Sequence, residues 1–197
     1  MAANDDLKMT VEHPAIFQST HEEADTLVAF HASRVQGNVI IRASDTDILV
    51  ILLGMLGQSK TGVTPVSCGK VIMDCGSNNN RRHIDVSAIA NALDRKQEGL
   101  SAAIPALHAF TGSDFSAAFY RKGKIKPFQI LETDQTGQYI SFFTKLSTRE
   151  RPNKVKAEEF VCTLYGMKGL KDVNKARFAK LCQKTGEIDQ VLIKLHY

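Results

Sequence analysis

Acidic residues separated by one position occur at two places near the start of the chain. Glu23 and Asp25 form one such pair, and Asp45 and Asp47 form the second. Asp114 stands further on, after Thr-Gly-Ser. Carboxylate oxygens are the ligands that Mg²⁺ and Mn²⁺ prefer. Two such ions about 4 Å apart can activate a water and stabilise the leaving oxygen of a phosphodiester. The acids therefore indicate a divalent metal held against a phosphate.

Each acid also has a purely structural interpretation. Glu23 fits the last position of a capping box that begins at Thr20, and Asp25 suits the positive end of a helix dipole. Asp45 can cap the helix that follows it, and Asp114 can be a polar residue at a helix end. The Asp45–Asp47 pattern also opens aspartate-based phosphatases, in which Asp45 would be the nucleophile. Those enzymes usually have Thr or Gly after the second acid, whereas this chain has Ile-Leu.

Hydrophobic patterning predicts the elements that position these acids. They are a helix that begins at the Thr20 capping box and ends at Gly37, a strand over 38–43, a helix over 48–56 that Gly57 stops, a strand over 66–75, an extended segment over 82–86, and helices over 87–97 and 101–112 that begin at Ser87 and Ser101. This order favours an α/β fold with a mainly parallel sheet flanked by helices. Ligands bind at the carboxyl edge of such sheets, where Asp45 and Asp47 would lie.

The second half of the chain reads as mostly helical. Helices are predicted over 115–131, 156–167, 171–184 and 187–195, while 139–143 fits helix and strand equally. Its aromatic residues at mixed spacing are more typical of a core than of base-stacking platforms: Phe128, Tyr139, Phe142 and Phe143. We therefore expect a lead-in over 1–18, an α/β core over 19–114, and a helical extension over 115–197 that packs with the core.

Composition and charge narrow the class of protein. The chain is 43% hydrophobic and 23% charged, which is ordinary for a globular protein. The four cysteines match no zinc spacing and are expected to be reduced thiols. We expect no membrane-spanning segment and no secretory signal, and hence a nuclear or cytoplasmic protein. Basic residues outnumber acidic ones between 121 and 156, which indicates either a polyanionic partner or a solvated surface.

The acidic motifs, taken in order and spacing, resemble the flap-endonuclease-like branch of the PIN nuclease superfamily. Glu23-Ala24-Asp25, a helix, the strand NVIIRA and Ser44-Asp45-Thr46-Asp47 follow the order of that family. The run LHAFTGSDF over 107–115 is similar to the family's Gly-Ser/Thr-Asp-Tyr motif, with Phe in place of Tyr. The resemblance covers about residues 19–131. It extends to PIN-like animal proteins that are often associated with mobile elements.

The resemblance implies a PIN-like fold and metal-dependent cleavage of phosphodiester bonds, most readily in DNA. The implied ligands of Mg²⁺ or Mn²⁺ are Glu23, Asp25, Asp45, Asp47 and Asp114, with Asp45 and Asp47 as the catalytic pair. Domains of this family begin with a strand that bears a further aspartate, and only about twenty residues precede Glu23 here. An upstream segment or a second chain would have to complete the acidic site. The alternative is an inactive PIN-like module that binds nucleic acid or a protein.

The family's helix–two-turn–helix element, which presents backbone amides to a phosphate, has a degenerate counterpart here. The segment 121–127 keeps one glycine and adds positive charge. The expected nucleic-acid contacts are Lys122, Gly123, Lys124 and Lys126, together with Arg81 and Arg82 after a Gly-Ser-Asn loop. His108, six residues before Asp114, is either a hydrogen-bonded buried histidine or a catalytic or phosphate-contacting residue.

Overall fold

A computed structural model of the chain describes residues 19–60, 62, 65–114, 116–148 and 150–185. The helices are α1 (Ala24–Arg34), α2 (Thr46–Lys60), α3 (Val86–Lys96), α4 (Leu100–Phe110), α5 (Ile125–Glu132), α6 (Gln138–Ser147), α7 (Lys154–Leu164) and α8 (Val173–Thr185), and the strands are β1 (Gly37–Arg42), β2 (Cys68–Cys75) and β3 (Arg82–Asp85). None of the helices described is long and apolar enough to cross a membrane. The predicted lead-in over 1–18 and helix over 187–195 lie outside these residues.

The three strands form one mixed sheet in the order β1-β2-β3. β1 and β2 run parallel, with Arg42 opposite Asp74, and β2 and β3 run antiparallel, with Asp74 opposite His83. The α/β class is confirmed, but a mainly parallel sheet is not confirmed among the described strands. The segment 76–81 between β2 and β3 is too short for the crossover that parallel pairing requires, so the chain turns back on itself.

Helices α2 and α4 pack unusually close together. The prediction that Gly57 stops α2 is wrong, because the helix continues to Lys60. A Cβ atom at Gly57 would lie 2.4 Å from the backbone nitrogen of Ala102, and one at Gly54 would lie 2.2 Å from Cγ of Pro105. These glycines serve close helix contact rather than helix termination, since only a residue without a side chain fits there.

Two apolar clusters form the interior. The first lies between the sheet and helices α1, α2 and α3, with Leu52 and Val71 fully buried. The second joins α4 to α7 and centres on Phe143 and Phe160, whose ring centroids are 4.9 Å apart. Burial of Phe142 and Phe143 bears out the core interpretation of these two aromatic residues. Because α4 contributes Leu100 to the second cluster, that cluster begins before residue 114, and the predicted domain division stays a prediction.

Several predicted helix ends differ from the observed ones. Glu23, not Thr20, occupies the N-cap position of α1, and it makes no side-chain capping bond there. Helix α1 ends at Arg34, and Gly37 instead opens β1. Helix α4 begins at Leu100 after Gly99, which has a left-handed backbone.

The start of α3 and the region before α5 also differ from prediction. Asp85 caps α3 by accepting from the backbone N–H of Ala88, while the predicted cap Ser87 accepts from the N–H of Val71. The helix predicted over 115–131 forms only from Ile125 onward. Arg121 before it has a φ of 54°, a left-handed conformation that interrupts a helix.

Candidate functional site at the carboxyl edge of the sheet

The turn from β1 into α2 carries the Asp45–Asp47 pair. Oδ1 of Asp45 accepts a hydrogen bond from the backbone N–H of Asp47 at 2.8 Å. Asp45 thus has the capping role that the sequence left open, since it satisfies one of the unpaired N–H groups at the helix start. Asp47 lies in the first turn of α2, where the helix dipole favours a negative charge.

The carboxylate of Asp47 faces a histidine from a distant part of the chain. Nε2 of His108 lies 3.0 Å from Oδ1 of Asp47, and the Asp47 side chain is 39% exposed. His108 belongs to the last turn of α4, directly before the Thr-Gly-Ser-Asp run. The close packing of α2 on α4 therefore brings two of the sequence motifs into contact. The place of His108 one turn before that run was the only sequence signal for this contact.

The basic segment reaches the same region through Lys124. Its amine donates to the carbonyl of His108 at 2.6 Å, to Oγ1 of Thr111 at 3.2 Å, and to the carbonyl of Gly112. A positive charge suits these carbonyls because they form the negative end of the α4 dipole. Burial lowers the pKa of the Lys124 amine, and the nearby charge of Asp47 opposes that shift. Protein oxygens already engage the amine of Lys124. Phosphate binding by this residue stays a prediction.

The remaining predicted acids lie on other elements. Glu23 is exposed at the start of α1, and Asp25 lies in the first turn of that helix. Asp114 is exposed beside the bridge that pairs Ser113 with Ser116. Within the described residues, no group of three or more His, Cys, Asp or Glu side chains has an arrangement that could hold a metal ion.

The predicted metal set therefore fits Mg²⁺ or Mn²⁺ by ligand type but not by arrangement. Carboxylate oxygens are the right donors for these ions, which need several oxygen ligands at short distance. Asp45, however, accepts a hydrogen bond at the start of α2, and Asp47 contacts His108. Among the residues described, no third acidic side chain forms a metal-holding group with these two. Binding of Mg²⁺ or Mn²⁺ by the five acids stays a prediction.

An acidic residue that the sequence reading missed lies at the end of β2. Asp74 is buried, and its two carboxylate oxygens accept hydrogen bonds from Arg81, at 2.9 Å from Nε and 2.7 Å from Nη2. Nη1 of Arg42 lies 2.9 Å from Oδ2 of the same carboxylate, and Nε2 of His83 lies 3.6 Å from Oδ1. The Arg81 guanidinium, assisted by Arg42 and opposed by burial, holds the pKa of Asp74 well below its usual range.

This ionic cluster and the Asp45–Asp47 turn share one edge of the sheet. The N–H of Ala43 donates to the carbonyl of Asp74 at 3.1 Å, and the N–H of Gly76 donates to Oγ of Ser44 at 3.0 Å. The turns that follow β1 and β2 are therefore tied side by side. No sequence signal gives this arrangement, because it depends on the register of β1 against β2.

The other predicted basic contacts have varied surroundings. Nζ of Lys122 lies 5.0 Å from the ring centroid of Tyr165, a cation–π contact. Arg82 and Lys126 are exposed, and Gly123 has open space where a side chain would be. Contacts between nucleic acid and these residues stay predictions.

Comparison with known proteins identifies no relative of this chain. No protein-family model, no curated protein and no solved structure matches the chain. Assignment to the flap-endonuclease-like PIN branch is therefore a proposal that rests on the motifs of this chain and on their geometry.

Proposed function

We propose that this chain is a PIN-like domain of the flap-endonuclease type, a remnant of a metal-dependent nuclease, that binds nucleic-acid phosphates at the carboxyl edge of its sheet. The observation that carries the proposal is the contact between Asp47 and His108. It joins the Ser-Asp-Thr-Asp turn to the Thr-Gly-Ser-Asp region, and Lys124 ties the basic segment to the same place. Motifs that are far apart in sequence meet where α/β proteins bind their ligands.

Binding without efficient cleavage is the activity that this geometry favours. Both acids of the Asp45–Asp47 pair already have protein partners. The same edge carries several exposed positive side chains: Arg42, Arg81 and Arg82. Cations attract the phosphate backbone irrespective of sequence, whereas hydrolysis needs a complete set of metal ligands.

The test is a binding titration with fluorescent single-stranded, duplex and branched DNA at several salt concentrations. We expect affinity to fall with salt, with a slope of log affinity against log salt of about 0.9 per phosphate contacted on duplex and about 0.7 on single strands. Matched RNA substrates determine which nucleic acid is preferred. A chain that binds none of these at low salt is not a nucleic-acid-binding domain.

The basic segment is tested in the same titration. Replacing Lys122 and Lys126 together by Ala should flatten the salt slope, with Lys145→Ala and Lys154→Ala as a charge-matched control at exposed positions on α6 and α7. Lys124 is left intact because its amine holds the end of α4. An unchanged slope would assign the segment to the solvated surface.

A second candidate is an active Mg²⁺- or Mn²⁺-dependent nuclease. It is favoured by the partial exposure of the Asp47 carboxylate, two residues from Asp45 at the end of a parallel strand. Incubation of branched and single-stranded DNA with either metal tests it. Cleavage that requires the metal and disappears in Asp45→Asn and Asp47→Asn, but not in the exposed control Glu98→Gln, would establish the enzyme. Cleavage that survives both substitutions would come from another site or a contaminant.

A further inference from the structure

We propose that Arg42 and Arg81, oriented by the buried carboxylate of Asp74, form a two-armed site for one phosphate group of a nucleic-acid backbone. This inference rests on the proposed function and names the side chains that hold the phosphate. Asp74 belongs to no motif of the resemblance, which includes Arg42 only as part of the strand NVIIRA and gives it no role, and the three residues meet only through the folding of the sheet.

The backbone positions both Arg42 and Arg81 relative to Asp74. The parallel register of β1 and β2 places Arg42 opposite Asp74. A tight turn after β2 then returns the chain so that Arg81 reaches the same carboxylate. That turn requires Gly76, which has a φ of 75° and whose Cβ would lie 2.4 Å from the carbonyl oxygen of Asn80.

Each guanidinium is held on one side and open on the other. The Arg42 and Arg81 side chains are 54% and 56% exposed, whereas the Asp74 side chain between them is 5% exposed. Arg42 uses Nη1 on Asp74 and Nη2 on the carbonyl of Gly76, and Arg81 uses Nε and Nη2 on Asp74. Among the described residues, Nε of Arg42 and Nη1 of Arg81 have no protein acceptor, so these N–H groups remain for a ligand.

The charge of the cluster fits an anion. Two guanidinium groups face one carboxylate, which leaves one positive charge. One cation would be enough to neutralise Asp74, so a merely structural ion pair does not need the second arginine. Planar guanidinium groups bind phosphate oxygens through paired N–H bonds, and fixing their orientation in advance reduces the entropy lost on binding.

A phosphate at this position would lie beside the Asp45–Asp47 turn. The turns after β1 and β2 are joined by the hydrogen bond from Gly76 to Ser44, so the arginine pair and the two acids face the same edge. Contacts to phosphate fix the register of a nucleic acid without reading its sequence. The arginine pair would therefore hold the backbone of many sequences with similar affinity.

The first experiment removes the two arginine side chains. In the DNA titration, Arg42→Ala with Arg81→Ala should weaken binding by roughly ten- to a hundredfold, the range expected for charge-assisted hydrogen bonds, and lower the duplex salt slope by about 0.9. The control removes the same charge at exposed positions elsewhere, Arg95→Ala with Arg177→Ala. Equal effects of the two double variants would overturn the site and leave only general attraction by net charge.

The second experiment separates orientation from charge. Asp74→Asn makes the cluster more positive, so binding would tighten if charge alone governed affinity. If Asp74 orients the arginines, binding weakens instead. Arg81→Lys keeps the charge but loses the paired contact with Asp74, and it should also weaken binding. Circular dichroism and thermal unfolding confirm that each variant is folded, and Arg81→Lys provides the test if Asp74→Asn does not fold.

A third measurement distinguishes failure of the site from failure of the proposed function. Inorganic phosphate should raise the thermal unfolding temperature of the wild type and of the control variant, but not of the variant without Arg42 and Arg81. Phosphate stabilisation without DNA binding would retain the anion site and reject the nucleic-acid function. DNA binding that is indifferent to both arginines would reject the site and retain the function. The absence of both effects would reject both.

Discussion

An alanine at Gly57 is expected to destabilise the chain, although alanine is a better helix former than glycine. The added Cβ would lie 2.4 Å from the backbone nitrogen and 2.8 Å from the Cα of Ala102. Ala102 is buried, and the two contacted atoms belong to the backbone of α4, so they cannot move aside as a flexible side chain can. Helices α2 and α4 would have to separate by about 1 Å, which forfeits a quarter to a half of the dispersion energy at their contacts.

The magnitude follows from two opposing terms. Overpacking at a rigid contact costs about 2–3 kcal/mol, the upper part of the usual range. Replacing glycine by alanine inside a helix contributes about 1 kcal/mol in the other direction. The free energy of unfolding should therefore fall by about 1–2 kcal/mol, and the Tm by roughly 2–8 °C for a chain of this length.

Urea unfolding followed by circular dichroism measures this change. The matched control is Gly123→Ala, since nothing lies within 4 Å of a Cβ at that position. The control should stay within about 0.5 kcal/mol of the wild type. A Gly57→Ala protein that is as stable as Gly123→Ala would refute the close approach of α2 to α4, and with it the way in which His108 is brought to Asp47.

Three further predictions concern single groups. The pKa of Asp74 is lowered in the folded chain. The ionised carboxylate therefore contributes its full stabilisation above the ordinary Asp pKa of about 4, and this contribution is lost as the pH falls below that value. The difference in unfolding free energy between wild type and Asp74→Asn should accordingly shrink in acid unfolding curves. Lys124→Ala should lower the unfolding free energy by about 0.5–1.5 kcal/mol, as its amine no longer binds the carbonyls at the end of α4, whereas Lys126→Ala should have little effect in the same urea titration. Thiol titration of the native chain should find Cys75 and Cys162 slow to react until denaturant is added, since both are buried and burial raises the pKa of the Cys162 thiol; rapid reaction of all four cysteines would contradict this packing.

Local pattern was enough for much of the fold. The apolar runs predicted strands at 38–43 and 66–75, and the observed strands are Gly37–Arg42 and Cys68–Cys75. The hydrophobic period also predicted α2 and the helices near 156–167 and 171–184. These predictions succeed because side-chain burial follows the period of the backbone, which a short stretch of sequence contains. The same local information was insufficient at the helix ends, where Asp85 and Ser87 are equally suitable caps by residue type.

The sequence by itself determined which residue types are available at the edge of the sheet, including the paired acids, His108 and the basic segment. Only the tertiary structure decided their partners. Asp74 meets Arg42 because of strand register, and Lys124 meets the end of α4 because the chain returns there. Gly57 permits a close helix contact and does not end α2, because α4 packs against it. Backbone period is a local property, whereas an ion pair or a close helix contact depends on which distant segments become neighbours when the apolar surfaces are buried together.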